Sequence, residues 1–470
     1  MTSALAVRGL KVSAGHGPLV RDVSFAVERG QSFTILGETG SGKSLVSQTI
    51  MATLPGELDA TGAVEIDGVT TEAGSDARRR LWGGKLALLP QEPWLSLDPT
   101  MRVIDQVAEG FTRSPRREAR ARAREALRPL GLSPAERAYP FMLSGGMAQR
   151  AAFAATGAAG ASIILVDEPT KGLDAALKGE VVAVLQRVLA SGRTLLTITH
   201  DVEVARALGG QVAVMLEGEI VEQGPAEAML SAPAHPYTRR LLAAEPSAWP
   251  ARAPPSLGEP VLTGTGLTKR YGGKTLFEGL DVVVRAGARL SVVGPSGSGK
   301  TTFGNVLLGL VRPDGGEVVR AAGVPATRFQ KLYQDPPAAF PPRTSLRQAM
   351  ADLVKRHRLD PAEIDRLMAR LRLDPILLDR RPDQVSGGEL QRFAMLRILM
   401  LSPAFIFADE PTSRLDPITQ QETLDLLADH AAERNCALLL VTHDPAIARN
   451  LAGDATISIG REKGRPSLTS

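Results

Sequence analysis

The chain predicts an α/β protein made of two tandem copies of one unit, each built on a largely parallel sheet. Three observations predict it. The stretch GETGSGKS (37–44) returns as GPSGSGKT (294–301), both of the form G-x-x-x-x-G-K-[S/T]. Landmarks then recur in order at a near-constant offset: Lys43 and Lys300 lie 257 residues apart, Gln91 and Gln334 243, Ser144 and Ser386 242, Asp167 and Asp409 242, His200 and His443 243. Finally, short apolar β-rich runs alternate with helix-compatible sequence, the pattern of parallel strands joined by crossover helices.

Within each copy, FTIL (33–36) and LSVV (290–293) run as strands into the glycine-rich loops, and LVSQTIMATL (45–54) and TFGNVLLGLV (302–311) continue as helices. Buried strands precede each acidic pair, SIILVDE (162–168) and AFIFADE (404–410), and each histidine, TLLTITH (194–200) and ALLLVTH (437–443). The run AAFAATGAAGASIILV (151–166) is short and rich in small residues, so it reads as a buried helix followed by a strand rather than a membrane span. The second copy is shorter by 14 residues between its loop and its glutamine. Between the copies, PSAWPARAPPSLGEP (246–260) reads as a semi-rigid proline-rich linker dividing 1–245 from 261–470. At roughly 3.1 Å per residue it could reach ~45 Å, about one domain width.

A chain of 470 residues suits two or three domains. Its 43% hydrophobic content and net charge of +4 read as soluble and globular, with too faint a bias to predict nucleic acid as a partner. Cys436 is the sole cysteine, so an internal disulfide is excluded. The opening MTSALAVRGLKV has a polar break before any apolar stretch, so no signal peptide is expected. Any membrane crossing therefore falls to other chains. In SPRREARARAREALRPL (114–130), Arg116, Arg120, Arg124 and Arg128 share one helical stripe, the best local argument for nucleic acid. No aromatics interleave for base stacking, and Glu118 and Glu125 sit among the arginines, so it reads as a solvated outer helix.

The chemistry concentrates in three elements of each copy. In the loops Gly37, Glu38, Thr39, Gly40, Ser41, Gly42, Lys43, Ser44 and Gly294, Pro295, Ser296, Gly297, Ser298, Gly299, Lys300, Thr301, Thr302, the glycines let successive N–H groups face phosphate oxygens at a helix N-terminus. Lys43 and Lys300 would bind the β- and γ-phosphates of ATP, and the hydroxyls of Ser44 and Thr301 would ligate Mg2+. Asp167 and Asp409 sit where a strand-end carboxylate holds the metal, and Glu168 and Glu410 where a carboxylate polarises the attacking water. In LSGGMAQR (143–150) and VSGGELQR (385–392), Ser144, Gly145, Gly146 and Ser386, Gly387, Gly388 offer a second anion cradle before a helix.

This set of motifs resembles the nucleotide-binding domain of ABC ATPases, and the resemblance covers nearly the whole chain, twice. It implies for each copy a RecA-like parallel-sheet core, a helical subdomain and an N-terminal β subdomain. It also implies an internal pseudo-dimer, paired head to tail, in which Lys43 shares a nucleotide with Ser386–Gly387–Gly388 and Lys300 with Ser144–Gly145–Gly146. Gln91 and Gln334 match the family's Q-loop glutamine, near the γ-phosphate and metal. Asp174 and Asp416 match its D-loop, His200 and His443 its switch histidine, and Tyr271 the aromatic that stacks on adenine. Ala14 stands opposite Tyr271, with His16 a poor replacement, and the second copy ends soon after its histidine. Two hydrolysis-competent but unequal sites are expected.

Finer text, PQEPWLSLDPTMRV (90–103), YPFMLSGGMAQR (139–150) and HPYTRRLLAAEP (235–246), resembles the oligopeptide/dipeptide/nickel importer ATPases. In the second copy YQDPPAAFPPRTSL (333–346) matches in part and the HPYT element is missing. The resemblance implies a peripheral protein on the cytoplasmic face of the plasma membrane, two transmembrane permease subunits and an extracytoplasmic substrate-binding protein. ATP hydrolysis would drive uptake of peptides, nickel, metal chelates or opines. The alternative is a soluble twin ATPase acting on ribosomes or nucleic acid. The short proline-rich linker and the lack of a coiled-coil insertion weigh against it.

Overall fold

Side chains along Gly17–Glu28 and Lys274–Arg285 alternate between exposed and buried, so each strand belongs to a sheet with one wet face. The strands Ser32–Leu36, Phe405–Asp409 and Ala437–Val441 are buried at every residue, as expected of central strands covered on both faces. The computed structural model describes residues 3–15, 17–91, 96–112, 114–171, 173, 175–295, 297–413, 415–453 and 455–460. It divides into two units, Met1–Ala243 and Ala244–Ser470.

In the first unit an antiparallel sheet runs in the order Gly17–Glu28, Ser3–Ala14, Asp59–Ile66, Val69–Glu72. Beside it a six-stranded sheet runs Glu219–Pro225, Gln211–Leu216, Ser32–Leu36, Thr194–Thr199, Ile163–Asp167, Leu86–Leu89. All its neighbouring pairs are parallel except the first. One core joins the two sheets through Val46, Ile50 and Met51 of the helix Lys43–Met51. A second lies on the other face, under Val103–Glu109, Arg116–Leu127 and Gly145–Ala158.

The second unit repeats the plan. Its antiparallel sheet is Lys274–Arg285, Pro260–Tyr271, Gly315–Arg320. Its parallel sheet is Phe329–Leu332, Phe405–Asp409, Ala437–Val441, Arg289–Val293, Thr456–Ser458. The helices Leu346–His357, Ala362–Arg370 and Gly387–Leu399 share one core. The expected α/β architecture is thus present in both units. The 14-residue difference maps to the place where the first unit has the extra strand Val69–Glu72 and a longer 3-10 turn, Asp76–Leu81, before its edge strand.

The proline-rich segment does not hang free: it is held against the second unit. Trp249 packs on that unit's core, Arg252 pairs with Asp425 and with Asp429 (2.7 Å), and Asn450 donates to the Pro246 carbonyl at 2.7 Å. Arg289 reaches the Ala253 carbonyl. A run without regular secondary structure carries unpaired carbonyls, and here side chains of the unit take some of them. In the outer helix Arg116–Leu127, Arg120 pairs with Asp105 (2.5 Å) and Arg124 with Glu136 (3.2 Å). Among the described residues no helix is long and apolar enough to cross a membrane.

Candidate active site

Each glycine-rich loop leaves a central, largely buried strand and turns straight into a helix, Lys43–Met51 or Lys300–Leu307. The turn is made at Gly42 (φ 97°) and Gly299 (φ 106°), in left-handed backbone that favours glycine, and no side chain caps either helix. The first N–H groups therefore stay available to an anion. At Gly37 and Gly294 an added Cβ would lie 2.3 Å from the Met215 carbonyl oxygen and 2.2 Å from that of Ile459. Lys43 Nζ donates to the carbonyls of Gly37 and Glu38, both at 2.7 Å, and Lys300 Nζ to those of Gly294 (2.9 Å) and Pro295 (3.0 Å). Both lysines are folded over the loops they end.

The acidic pairs sit at the carboxyl ends of Ile163–Asp167 and Phe405–Asp409. Glu168 (φ 48°) and Glu410 (φ 44°) both adopt left-handed backbone, a strained choice for a non-glycine residue that concentrates at functional positions. Their amides anchor the turn by donating to the carbonyls of Ile198 (2.7 Å) and Val441 (3.0 Å) on the next strand. That strand also delivers the histidine. His200 Nδ1 lies 2.8 Å from Glu168 Oε2, and His443 Nδ1 lies 3.5 Å from Glu410 Oε2. Burial pushes the Glu168 carboxyl up, but the adjoining His200, with Lys43 and Lys171, brings it below its ordinary value. In the second unit Gln334 Nε2 joins this group, donating to Glu410 Oε2 at 3.0 Å.

The two aspartates differ. Burial and then Glu168 push the Asp167 carboxyl up to about 6, against Ser44, Lys43 and Lys171, and its Oδ1 has no hydrogen-bond partner. Asp409 Oδ1 instead accepts from the Thr301 hydroxyl at 2.9 Å, and its Oδ2 lies 3.1 Å from Lys331 Nζ. Mg2+ keeps several waters and is bound by one or two carboxylates together with phosphate oxygens. An orphaned buried carboxylate oxygen beside a P-loop hydroxyl fits that demand. Among the described residues no group of three or more His, Cys, Asp and Glu is placed to hold a metal ion without further ligands.

Ser144 caps the helix Gly145–Ala158, and Ser386 caps Gly387–Leu399 in a reciprocal box with Glu389. At Gly146 an added Cβ would stand 2.4 Å from Leu177 Cδ2, so the Leu177 side chain would have to move to admit one. Asp416 caps Pro417–Glu433 by accepting from the Thr419 amide at 3.0 Å. Tyr271 ends its strand half-exposed, paired with Lys274, where Ala14 is paired with Gly17. Gln91 follows the edge strand Leu86–Leu89. His16, Asp174 and Ser296 lie outside the described residues, as does 92–95.

One contact was not legible from the motifs. The Tyr237 hydroxyl of the HPYT element accepts from the Glu38 amide in the first P-loop at 3.1 Å. The carboxylate of Glu222 holds the element's entry by accepting from the amides of Ala234 (2.7 Å) and His235 (3.1 Å).

Fold and site together define a chain with two P-loop ATPase units. A family model described as ABC transporter matches residues 20–171 and 277–413, and the chain belongs to that family. It is 34% identical to the peptidoglycan transport ATP-binding protein YejF of Agrobacterium fabrum (strain C58), over 96% of this chain and 90% of that one. It is 32% identical to the glutathione import ATP-binding protein GsiA of Escherichia coli (strain K12), over 92% of this chain and 80% of that one. The solved ATP-binding cassette MJ0796, a dimer bound to ADP and phosphate, is similar at a TM-score of 0.42 and 25% identity, over 47% of this chain and 98% of that one. The protein is an ABC-type ATPase that uses ATP and Mg2+. As a transporter ATPase it is a peripheral subunit that works with a membrane permease.

Proposed function

We propose that this chain is the energy-coupling ATPase of an importer for short peptides or kindred small ligands such as nickel, metal chelates or opines. The observation that carries the reading is likeness along almost the whole chain to proteins named for glutathione import and peptidoglycan transport, two cargoes that contain short peptides. Two permease subunits would sit on the ATPase at the cytoplasmic face of the membrane, and an extracytoplasmic binding protein would deliver the ligand.

In this reading the domains are 1–245 and 261–470, joined by 246–260, and they pair head to tail. The P-loop ending in Lys43 then shares its nucleotide with Ser386–Gly388, and the loop ending in Lys300 with Ser144–Gly146. The loop amides and lysine hold the phosphates, Tyr271 stacks on one adenine, and Asp174 and Asp416 lie near the shared boundary. Ser44 with Asp167, and Thr301 with Asp409, would hold Mg2+ beside Gln91 and Gln334. When bound, the metal neutralises charge on the β- and γ-phosphate oxygens. Glu168 and Glu410 accept a hydrogen bond from the attacking water through a carboxylate oxygen, and His200 and His443 orient that carboxylate through Nδ1. Closure on ATP shifts the permease only if ATP binds the closed state better than the open one.

The test is to purify the tagged chain from detergent-solubilised membranes and identify what accompanies it. Two multi-span proteins in near one-to-one ratio with this chain are expected, with ATP turnover stimulated by a peptide-loaded binding protein. Recovery with ribosomes or nucleic acid in the soluble fraction would overturn the reading.

A further inference from the structure

In the second unit the edge strand of the parallel sheet brings a lysine into direct ion pairing with the strand-end aspartate, whereas in the first unit the charges acting on Asp167 come from the P-loop Lys43 and from Lys171 and none comes from that strand position. Lys331 lies on the edge strand Phe329–Leu332, in parallel register with Phe405–Asp409, opposite Phe407. Its ammonium sits 3.1 Å from Asp409 Oδ2, with the two side chains 10% and 7% exposed. It donates to Asn305 Oδ1 at 3.0 Å and lies 5.1 Å and 5.2 Å from the ring centroids of Tyr333 and Phe407. The other oxygen of Asp409 is taken by Thr301. The same station in the first unit, opposite Leu165 in the same register, is Leu88. Nothing apolar can do for Asp167 what Lys331 does for Asp409.

A lysine loses its hydration when buried and stays charged only where a carboxylate and further acceptors replace the water. Lys331 has that set: an anion, an amide oxygen and two aromatic faces. Once there, its positive charge neutralises Asp409 and repels a divalent ion brought to the same carboxylate. We propose that Lys331 is a resident cation of the second nucleotide site, which weakens divalent-metal binding there and lets that site hold nucleotide with less dependence on Mg2+ than the first. The proposal rests on the reading that Asp409 faces the metal.

The test uses the full chain, Mn2+ as the metal probe read by electron paramagnetic resonance, and a non-hydrolysable ATP analogue. Lys300→Ala leaves the first P-loop to be read alone, and Lys43→Ala leaves the second. The first is expected to bind Mn2+ about tenfold more tightly than the second, an order-of-magnitude expectation for a unit charge placed beside the ion. In EDTA a fluorescent ATP analogue should be retained by the second and lost by the first. Adding Lys331→Leu to the Lys43→Ala chain should raise Mn2+ affinity to that of the first site, and adding Leu88→Lys to the Lys300→Ala chain should lower it. Equal Mn2+ affinities and equal EDTA losses in the two single variants overturn the proposal, and neither variant alters Lys331. Asp409→Asn separates the two readings. If it weakens Mn2+ binding while Lys331→Leu changes nothing, the resident-cation role fails alone. If Asp409→Asn leaves Mn2+ binding unchanged, the assignment of Asp409 to the metal fails with it.

Discussion

The two units place the same backbone around the same chemistry and then diverge in the charges that surround it. Strand ends, strained glutamates and histidines coincide, yet Asp167 keeps an unpartnered oxygen and a carboxyl raised to about 6, whereas both oxygens of Asp409 are engaged by Thr301 and Lys331. Glu168 lies closer to its histidine than Glu410, which has Gln334 for company. The first P-loop is braced by Tyr237. Backbone geometry is set by glycines and strand order, which few substitutions can alter without breaking the loop. Electrostatic surroundings change with one side chain, as Leu88 against Lys331 shows.

The largest effect that tests this comparison is loss of the glutamates. Glu168→Gln and Glu410→Gln should each slow hydrolysis at their own site by on the order of 10²–10⁴-fold, and the double variant should be almost inactive. Steady-state phosphate release measures it. Because both units keep the glutamate–histidine contact, each single variant should lower total turnover. If one leaves turnover untouched, that unit is silent and the two sites differ in kind rather than degree.

Stability should separate the units next. Both have an arginine that serves the end of the P-loop helix, but from different places. Arg78, almost wholly buried, donates to the carbonyls of Thr49 (2.8 Å), Ile50 (3.1 Å), Glu72 (2.7 Å) and Ala73 (2.6 Å) and to the Thr71 hydroxyl (2.7 Å). Arg320 donates to the Leu308 carbonyl at 2.5 Å, its guanidinium lying 4.7 Å from the Phe329 ring centroid. Removing Arg78 leaves several buried acceptors unmet, so Arg78→Ala should cost about 3–5 kcal/mol. At roughly 2–4 °C per kcal/mol, the first unit's melting transition should drop by about 6–20 °C. Arg320→Ala should cost about 1 kcal/mol. Calorimetry decides: equal losses would mean that the extra strand and turn of the first unit do not depend on Arg78.

What the sequence made legible follows from the same division. Loops such as 37–44 and acidic pairs such as 167–168 are contiguous, because the chemistry needs adjacent backbone groups, and the strands before them are mostly apolar. Lys331 could not be seen: KLYQ is unremarkable until parallel pairing sets Phe329–Leu332 beside Phe405–Asp409. Tyr237 meets Glu38 across 199 residues of sequence. Left-handed backbone at Glu168 and Glu410 follows from strand ends turning under tertiary constraint, against local preference. The proline-rich segment was legible as irregular, but its attachment through Arg252 to Asp425 and Asp429 depends on a helix far along the chain.

A smaller effect concerns the adenine. Tyr271 and Ala14 occupy the same hairpin station, and Lys269 lies 5.2 Å from the Tyr271 ring centroid. Stacking of an aromatic on a base is worth about 1–3 kcal/mol. Tyr271→Ala should therefore weaken binding of a fluorescent ATP analogue at the second P-loop by about 5–150-fold, with no change at the first. Ala14→Tyr should strengthen the first. If Ala14→Tyr has no effect, the inequality of the sites lies elsewhere than in the missing ring.

The gentlest difference is in pH response, and it belongs to the second unit. His430, on Pro417–Glu433, is buried with neither ring nitrogen hydrogen-bonded. Burial, then Arg370 from Ala362–Arg370 and Arg434 just past its own helix, lower it from 6.5 to about 4, against the opposing Glu433. The unfolded chain thus takes up this proton more readily than the folded unit. Stability from neutral His430 is complete above about pH 6.5 and is lost as pH falls toward about 4. Between pH 7 and 5.5, amide-exchange protection of Pro417–Glu433 should decline, while His430→Leu, which suits the surrounding apolar core, should hold it nearly flat. An equal decline in that variant would show that the acid sensitivity of this helix does not come from His430.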